Sequence, residues 1–296
     1  MAKNKKSSNI FRLLVLILIA LSIVWFFTNR EANSIADANL LINETQDPVF
    51  SPTSTATLTA ADLLPKGQEI KASILMYHHI GPLPQGADDI RKGLTVSKTT
   101  FDSQMKKLKD GGYNVITLNE LYSKIPTSVP EKTVVLTFDD GYEDNASEAL
   151  PILQKYGFRG TFFIITSKVA SADYMNEDQI KDLVKNGNEI GSHTVYHIGL
   201  DTVKGPTLDN EIKDSKTYLD KLLNQNTTSF CYPAGKFSDE AKADLLKDGY
   251  RIAVTTEASK GTFSTDNIYQ VPRYRVNPGS TLSFLPVVGV EPTTKQ

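Results

Sequence analysis

Near its start the chain is continuously apolar: from Leu13 to Phe27 every residue except Ser22 is apolar, and Lys3, Lys5, Lys6 and Arg12 precede the run with no acidic residue among them. The stretch from Ile10 to Phe27 would make about 27 Å of helix at about 1.5 Å per residue, close to the roughly 30 Å hydrocarbon core of a bilayer with Arg12 snorkelling. Because the positive cluster lies on the N-terminal side, residues 1–30 are predicted as a cytoplasmic basic tip and a transmembrane signal-anchor, with everything after Arg30 extracytoplasmic. Ala36-Asp37-Ala38 also suits signal-peptide cleavage, which would leave a secreted form in the same compartment. From residue 31 to 71 no period is sustained, and Asp47-Pro48, Ser51-Pro52-Thr53-Ser54-Thr55 and Leu64-Pro65-Lys66-Gly67 read as an extracytoplasmic linker that holds a head away from the bilayer.

Residues 72–296 change register. Short β-branched runs at Ser73 to Met76, Asn114 to Ile116, Thr133 to Phe138, Gly160 to Ile165, Glu189 to Ser192, Ser229 to Cys231 and Ile252 to Thr255 alternate with helical patterns. The helices are predicted at Phe101 to Asp110, Asn145 to Tyr156, Asn176 to Asn186, Asp209 to Leu223 and Ser238 to Lys247. Gly111-Gly112, Gly157, Gly187 and Gly249 stand where helices end, each ahead of a new strand. Strand–helix alternation of this kind predicts a parallel α/β fold, and seven strands is near a barrel's number. In such folds the active site gathers where strand C-termini open into loops.

Composition narrows the function. The 296 residues are 40% hydrophobic and 22% charged, enough apolar material for a core. Lys and Arg number 32 against 34 Asp and Glu, and without the basic tip the balance is 28 against 34, which excludes a protein whose main partner is nucleic acid. The single cysteine, Cys231, excludes an intramolecular disulfide, a multi-cysteine zinc site and an iron–sulfur cluster.

Three motifs lie at predicted strand ends. The apolar strand Val134 to Phe138 runs into Asp139-Asp140-Gly141-Tyr142. Adjacent residues on an extended strand point oppositely, so the two carboxylates can serve two roles, one on a metal and one on a reacting water; the same tripeptide also suits a turn or helix N-cap. Gly191-Ser192-His193-Thr194-Val195-Tyr196-His197 spaces two imidazoles four apart, as on one face of a helical turn that offers two nitrogens to Zn²⁺ with a carboxylate third and water fourth, or as an ordinary structural pair. Two of the chain's four histidines form this pair, and beside an Asp-Asp strand end they favour the metal. Phe230-Cys231-Tyr232-Pro233-Ala234-Gly235-Lys236 is a strand ending in a Pro/Gly turn, whose backbone N–H groups could meet an oxyanion.

In this order and spacing, Thr137-Phe138-Asp139-Asp140-Gly141, His193-Thr194-Val195-Tyr196-His197 and Tyr232-Pro233-Ala234-Gly235 resemble the polysaccharide deacetylases, the NodB-homology domain of carbohydrate esterase family four, over about residues 72–285. Ile74-Leu75-Met76-Tyr77-His78-His79-Ile80 and Gly112 to Leu118 are similar to the circularly permuted branch that includes the biofilm poly-N-acetylglucosamine deacetylases. The resemblance implies a distorted (β/α) barrel and a divalent metal, Zn with Co or Ni as alternatives, that removes N- or O-acetyl groups from sugars. It implies Asp139 as general base, Asp140, His193 and His197 as metal ligands, and His78 as catalytic acid, with His79 its neighbour on the opposite side of the strand. Two departures stand out. Cys231 occupies the place of an arginine that tethers the base, leaving Arg273 or Arg275 as tethering candidates, and Ala234 replaces an aromatic residue while keeping its backbone N–H. The family's fourth-motif tryptophan is missing, since the only Trp is Trp25. Tyr232 and Ala234 are the oxyanion or substrate-binding candidates. The expected partners are an N-acetylated glycan, either poly-N-acetylglucosamine or peptidoglycan, and the membrane. A catalytically inactive glycan-binding protein and an O-acetyl ester hydrolase are the alternatives.

Overall fold

The computed structural model describes residues 64–285. Its strands, in chain order, are β1 (Glu69–Lys71), β2 (Ser73–Tyr77), β3 (His79–Ile80), β4 (Thr95–Val96), β5 (Asn114–Ile116), β6 (Thr133–Phe138), β7 (Thr161–Ile164), β8 (Glu189–Ser192), β9 (Ser229–Cys231), β10 (Ile252–Ala258), β11 (Thr262–Ser264) and β12 (Val271–Arg275). Eight of these form one sheet in the order β2-β12-β10-β9-β8-β7-β6-β5, with every neighbouring pair parallel. A further parallel pairing of β2 with β6, Ser73 opposite Val134 through Tyr77 opposite Phe138, closes seven of them into a ring and leaves β5 appended to β6. The ring is the expected (β/α) barrel.

Period-two alternation decides what each strand gives to the two sides of that ring. All six residues of β6 are buried. Leu136 and Phe138 pack outward with Tyr77, Phe101 and Phe162, where the Phe138 and Phe162 rings stack at 4.5 Å. Val135 packs inward with Ile74, Phe163, Cys231, Val254 and Val271. Thr137 and Asp139 continue that inward face, so the strand itself aims the first carboxylate into the barrel.

The covering helices start on side-chain caps. Ser97 caps Lys98–Asp110 and Ser238 caps Asp239–Lys247, while Asn176 with Gln179 and Thr117 with Glu120 form capping boxes. Gly157, at φ 70°, ends Leu150–Tyr156 in the left-handed conformation that glycine adopts without a Cβ penalty.

Three expectations are corrected. β12 is absent from the strands the pattern predicts, because Pro272 breaks the apolar run and reads as a strand breaker; the strand forms nonetheless, with a register shift against β10 between Val254 and Ala258. The linker predicted to reach residue 71 gives way earlier to the folded head: Leu64 is buried and β1 pairs antiparallel with β11, Ile70 opposite Phe263. The His193–His197 segment is not a helical turn but a loop, with Thr194 and His197 at φ 68° and 60°. The membrane segment predicted at residues 1–30 lies outside the described residues, among which no helix is long and apolar enough to cross a membrane.

Candidate functional site

The polar residues singled out by the sequence converge at the C-terminal mouth of the barrel. Asp139 follows the last residue of β6, its backbone N–H bonded to the Tyr77 carbonyl at 2.9 Å and its side chain buried. A buried carboxylate needs a partner. It has one in Arg273 of β12, also fully buried, whose Nη1 and Nη2 each donate to a different Asp139 oxygen at 2.7 Å. The guanidinium is itself held by the Thr255 carbonyl at 2.8 Å and by Thr137 Oγ1 at 2.9 Å. Burial pushes the Asp139 carboxyl up, but Arg273 outweighs it and holds the group below the usual carboxylate range, ionised.

Cys231 touches the same pair. Its Sγ lies 3.5 Å from Asp139 Oδ2 and receives Arg273 Nη2–H at 3.2 Å. His78 stands on the open side, Nε2 at 3.9 Å from Asp139 Oδ2. Burial, and then the arginines Arg273 and Arg275 against the pull of Asp139 and Asp140, leaves its imidazole below its ordinary range.

The second carboxylate turns away from the first. Asp140 takes φ 75° and Gly141 φ 81°, so the chain reverses immediately after β6. Asp140 Oδ1 thereby comes 3.3 Å from His193 Nε2 and 3.4 Å from His197 Nε2. A tetrahedral ion with ligand bonds of about 2.0–2.2 Å has ligand–ligand edges of about 3.3–3.6 Å, so both edges from Asp140 to the histidines match such a site, and all three ligand atoms lie within 4.8 Å of one another. The tautomer agrees. His193 Nδ1 lies 2.7 Å from the Cys231 carbonyl, which can only accept, so Nδ1 carries a proton and Nε2 is the nitrogen left to a metal or a proton beside Asp140. Burial disfavours charge on His193, yet Cys231 and Asp140 draw its imidazole well above its ordinary range: the carboxylate calls for positive charge at this point. Asp140, His193 and His197 therefore fit a divalent metal. Left-handed backbone at Asp140, Thr194 and His197 costs on the order of 1–3 kcal/mol per residue, the kind of strain that collects at functional sites.

A second grouping, Asp139, His193 and Cys231, also brings three donors together. It is already committed: both Asp139 oxygens face the Arg273 guanidinium, and burial pushes the Cys231 thiol up, keeping it protonated.

The remaining candidates divide. Tyr232 has no exposed surface, its ring stacks on Phe237 at 4.6 Å, and its N–H bonds the Val254 carbonyl, so its side chain belongs to the packing outside the barrel. Ala234 sits in the turn after β9 at φ 52°, ψ 19°. Arg275 is exposed and the tether is Arg273. His79 faces away from His78, with Nδ1 at 2.8 Å from Asp144 and its ring stacked on Tyr142. Tyr142 joins the site unannounced, and burial followed by the nearby Asp140 carboxylate pushes its pKa up. Its place directly after Asp-Asp-Gly was the available signal.

Comparison with known proteins agrees with this geometry. The family described as polysaccharide deacetylase matches residues 127–253. Over 212 residues the chain is 37% identical to the Bacillus subtilis (strain 168) protein named "Putative polysaccharide deacetylase YxkH", covering 71% of this chain and 72% of that one. It is 29% identical over 201 residues to the poly-beta-1,6-N-acetyl-D-glucosamine N-deacetylase of Staphylococcus aureus (strain NCTC 8325 / PS 47), covering 63% of this chain and 69% of the relative. Among solved structures, the Streptococcus pyogenes deacetylase PplD in complex with acetate is similar at 32% identity and a TM-score of 0.68, over 74% of this chain and all of that one.

Proposed function

This chain belongs to the polysaccharide deacetylase family, and from that premise we propose that it is a metal-dependent N-deacetylase of an extracellular or cell-wall N-acetylhexosamine polysaccharide, poly-N-acetylglucosamine or peptidoglycan. The observation that carries the reading is the trio Asp140, His193 and His197, with Asp140 at metal-ligand spacing from each histidine, beside an ionised Asp139. When bound there, a divalent metal, Zn in the first instance, supplies Lewis-acid polarisation of the acetyl carbonyl and acidifies an attacking water. Asp139 accepts the proton of that water, since Arg273 keeps it charged and fixed while its immediate neighbour is a ligand. His78, whose Nε2 is 3.9 Å from Asp139, is neutral at rest and takes up the proton that Asp139 has accepted, then gives a proton to the sugar nitrogen as its bond to the acetyl carbon breaks, so that the products are acetate and a free amine. Ala234 offers a backbone N–H for the developing oxyanion. Tyr196, 68% exposed between the two histidine ligands, gives the mouth an aromatic face of the kind that sugar rings stack on.

The signal-anchor reading of residues 1–30 fits this substrate class, since a tethered head outside the cytoplasm meets cell-surface glycans. The test is acetate release by the full-length protein from N-acetylglucosamine oligomers, peptidoglycan and an O-acetylated ester, each with zinc, with chelator, and with zinc restored. Chelator-sensitive, zinc-restored release from an N-acetylated glycan supports the proposal. Release from the ester alone would move it to an O-acetyl esterase, and silence from a folded, metal-loaded protein would leave a glycan-binding protein.

A further inference from the structure

Two helical stretches of the barrel's outer layer contain π-helical turns, Asn145–Ala149 at the start of the stretch that continues as Leu150–Tyr156, and Asn210–Asp214 between the α-helical segments Gly205–Asp209 and Ser215–Leu223. A π turn is rare and, where it occurs, frequently marks a functional site, because the extra residue swings a side chain off the helix's regular stripe. Each of these turns carries a buried polar side chain. Asn145 has no exposed surface and Glu211 only 3%.

Both side chains end on the backbone of a segment that bears the site's histidines. Asn145 Nδ2 donates to the carbonyl of His78 at 2.7 Å and to Asp144 Oδ1 at 3.0 Å. Its own Oδ1 is buried with no partner among the described residues, a cost that packing alone gives no reason to carry. Glu211 Oε2 accepts the N–H groups of Val195 at 3.0 Å and Tyr196 at 2.9 Å, the two residues at the middle of the loop from His193 to His197. One carboxylate oxygen taking two consecutive N–H groups is a charge-assisted clamp, and it fixes a loop whose Thr194 and His197 are both left-handed.

We propose that Asn145 and Glu211 are positioning residues and that the two π turns exist to turn them inward, Asn145 registering the catalytic histidine and Glu211 registering the two histidine ligands of the metal. The proposal rests on the deacetylase reading above, but the two fail separately. Side chains that orient metal ligands from behind typically change metal affinity by about 10–100-fold when altered, without touching the ion. Glu211→Gln keeps the volume and one acceptor oxygen but removes the charge.

The experiment uses full-length protein stripped of metal and titrated with zinc alone against a chelator of known affinity, alongside thermal unfolding of the metal-free form and steady-state deacetylation. The expected pattern is crossed. Glu211→Gln weakens zinc binding about 10-fold or more, with metal-free unfolding close to wild type, whereas Asn145→Ala keeps wild-type zinc affinity and lowers kcat on the N-acetyl substrate about 10-fold with little change in KM. Glu211→Ala extends the first effect if it folds; Glu211→Gln decides if it does not. Unchanged zinc affinity in Glu211→Gln, or equal losses of zinc affinity and metal-free stability in both variants, would overturn the inference. A wild-type protein that binds zinc and deacetylates nothing would sink the deacetylase reading and leave the Glu211 measurement standing.

Discussion

Arg273 on β12 and Asp139 at the end of β6 meet through two 2.7 Å hydrogen bonds, although 134 positions separate them in the chain. Both are buried, so neither group has water to fall back on. Removing one partner of such a pair leaves an uncompensated buried charge, at a cost of about 3–5 kcal/mol. Arg273→Lys is the informative change because it keeps the charge and loses the fork. It should retain a full complement of metal, since Asp140 and the histidines are untouched, while kcat falls about 10- to 100-fold as Asp139 loses its fixed direction, an effect within the range of a misplaced general base. Metal analysis and steady-state kinetics on one preparation check this; wild-type turnover in the lysine variant would remove Arg273 from the machinery.

The metal trio and the base are separable in the same way. His193→Ala takes away a corner of the site and the Nδ1–H bond to the Cys231 carbonyl, so metal and activity should be lost together. Asp139→Asn leaves Asp140, His193 and His197 in place, so metal should stay while turnover falls about 10²–10⁴-fold, the usual contribution of a general base. Plasma emission analysis of both variants after gel filtration decides it. A metal-free Asp139→Asn protein would mean that Asp139 belongs to the ligand set.

Much of this was legible because it is local. Asp139-Asp140-Gly141 and His193 to His197 sit at strand ends where the apolar pattern stops, and the seven strand candidates include six members of the closed ring. The seventh member, β12, was hidden by Pro272, and with it went the choice between Arg273 and Arg275, which lie on the same face of one strand by period two and differ only in depth. Tyr232 was a candidate that alternation argues against: with Cys231 facing into the barrel, Phe230 and Tyr232 must face out, and both pack in the outer cluster. Asn145 and Glu211 could not be read at all, because each acts on a backbone group supplied by a distant loop, and nothing in a helical pattern announces a π turn.

His78 should matter in proportion to how poor the leaving group is. An amide nitrogen must gain a proton before it departs, whereas an ester alkoxide can leave more readily. His78→Ala is therefore expected to lower N-acetyl hydrolysis about 100-fold or more and to leave hydrolysis of an activated acetyl ester close to wild type, with metal content unchanged. Parallel losses on amide and ester would assign His78 a role before the breakdown step.

At the opposite end of the barrel, Glu189 ties stability to pH. Glu189, the first residue of β8, is half-buried beside Ser229, whose hydroxyl donates to its Oε1, while the Asn119 N–H and the Thr161 hydroxyl each donate to its Oε2 at 2.9 Å. Burial raises its pKa more than these donors lower it. The folded protein therefore holds this proton more tightly than the unfolded chain, whose glutamates titrate near about 4.3. Between that value and the raised folded one, the native state binds the extra proton, so stability declines as pH rises through the window and then levels off above it. Glu189→Gln imitates the protonated form: its oxygen can keep the Asn119 and Thr161 donors, and its amide can donate to Ser229 Oγ. The variant should unfold at a higher temperature than wild type at pH 7–8, and the difference should shrink as pH falls toward 4. Thermal unfolding across that range reads the sign directly, and a difference that grows on acidification would mean that the donors, not burial, set the proton affinity of Glu189.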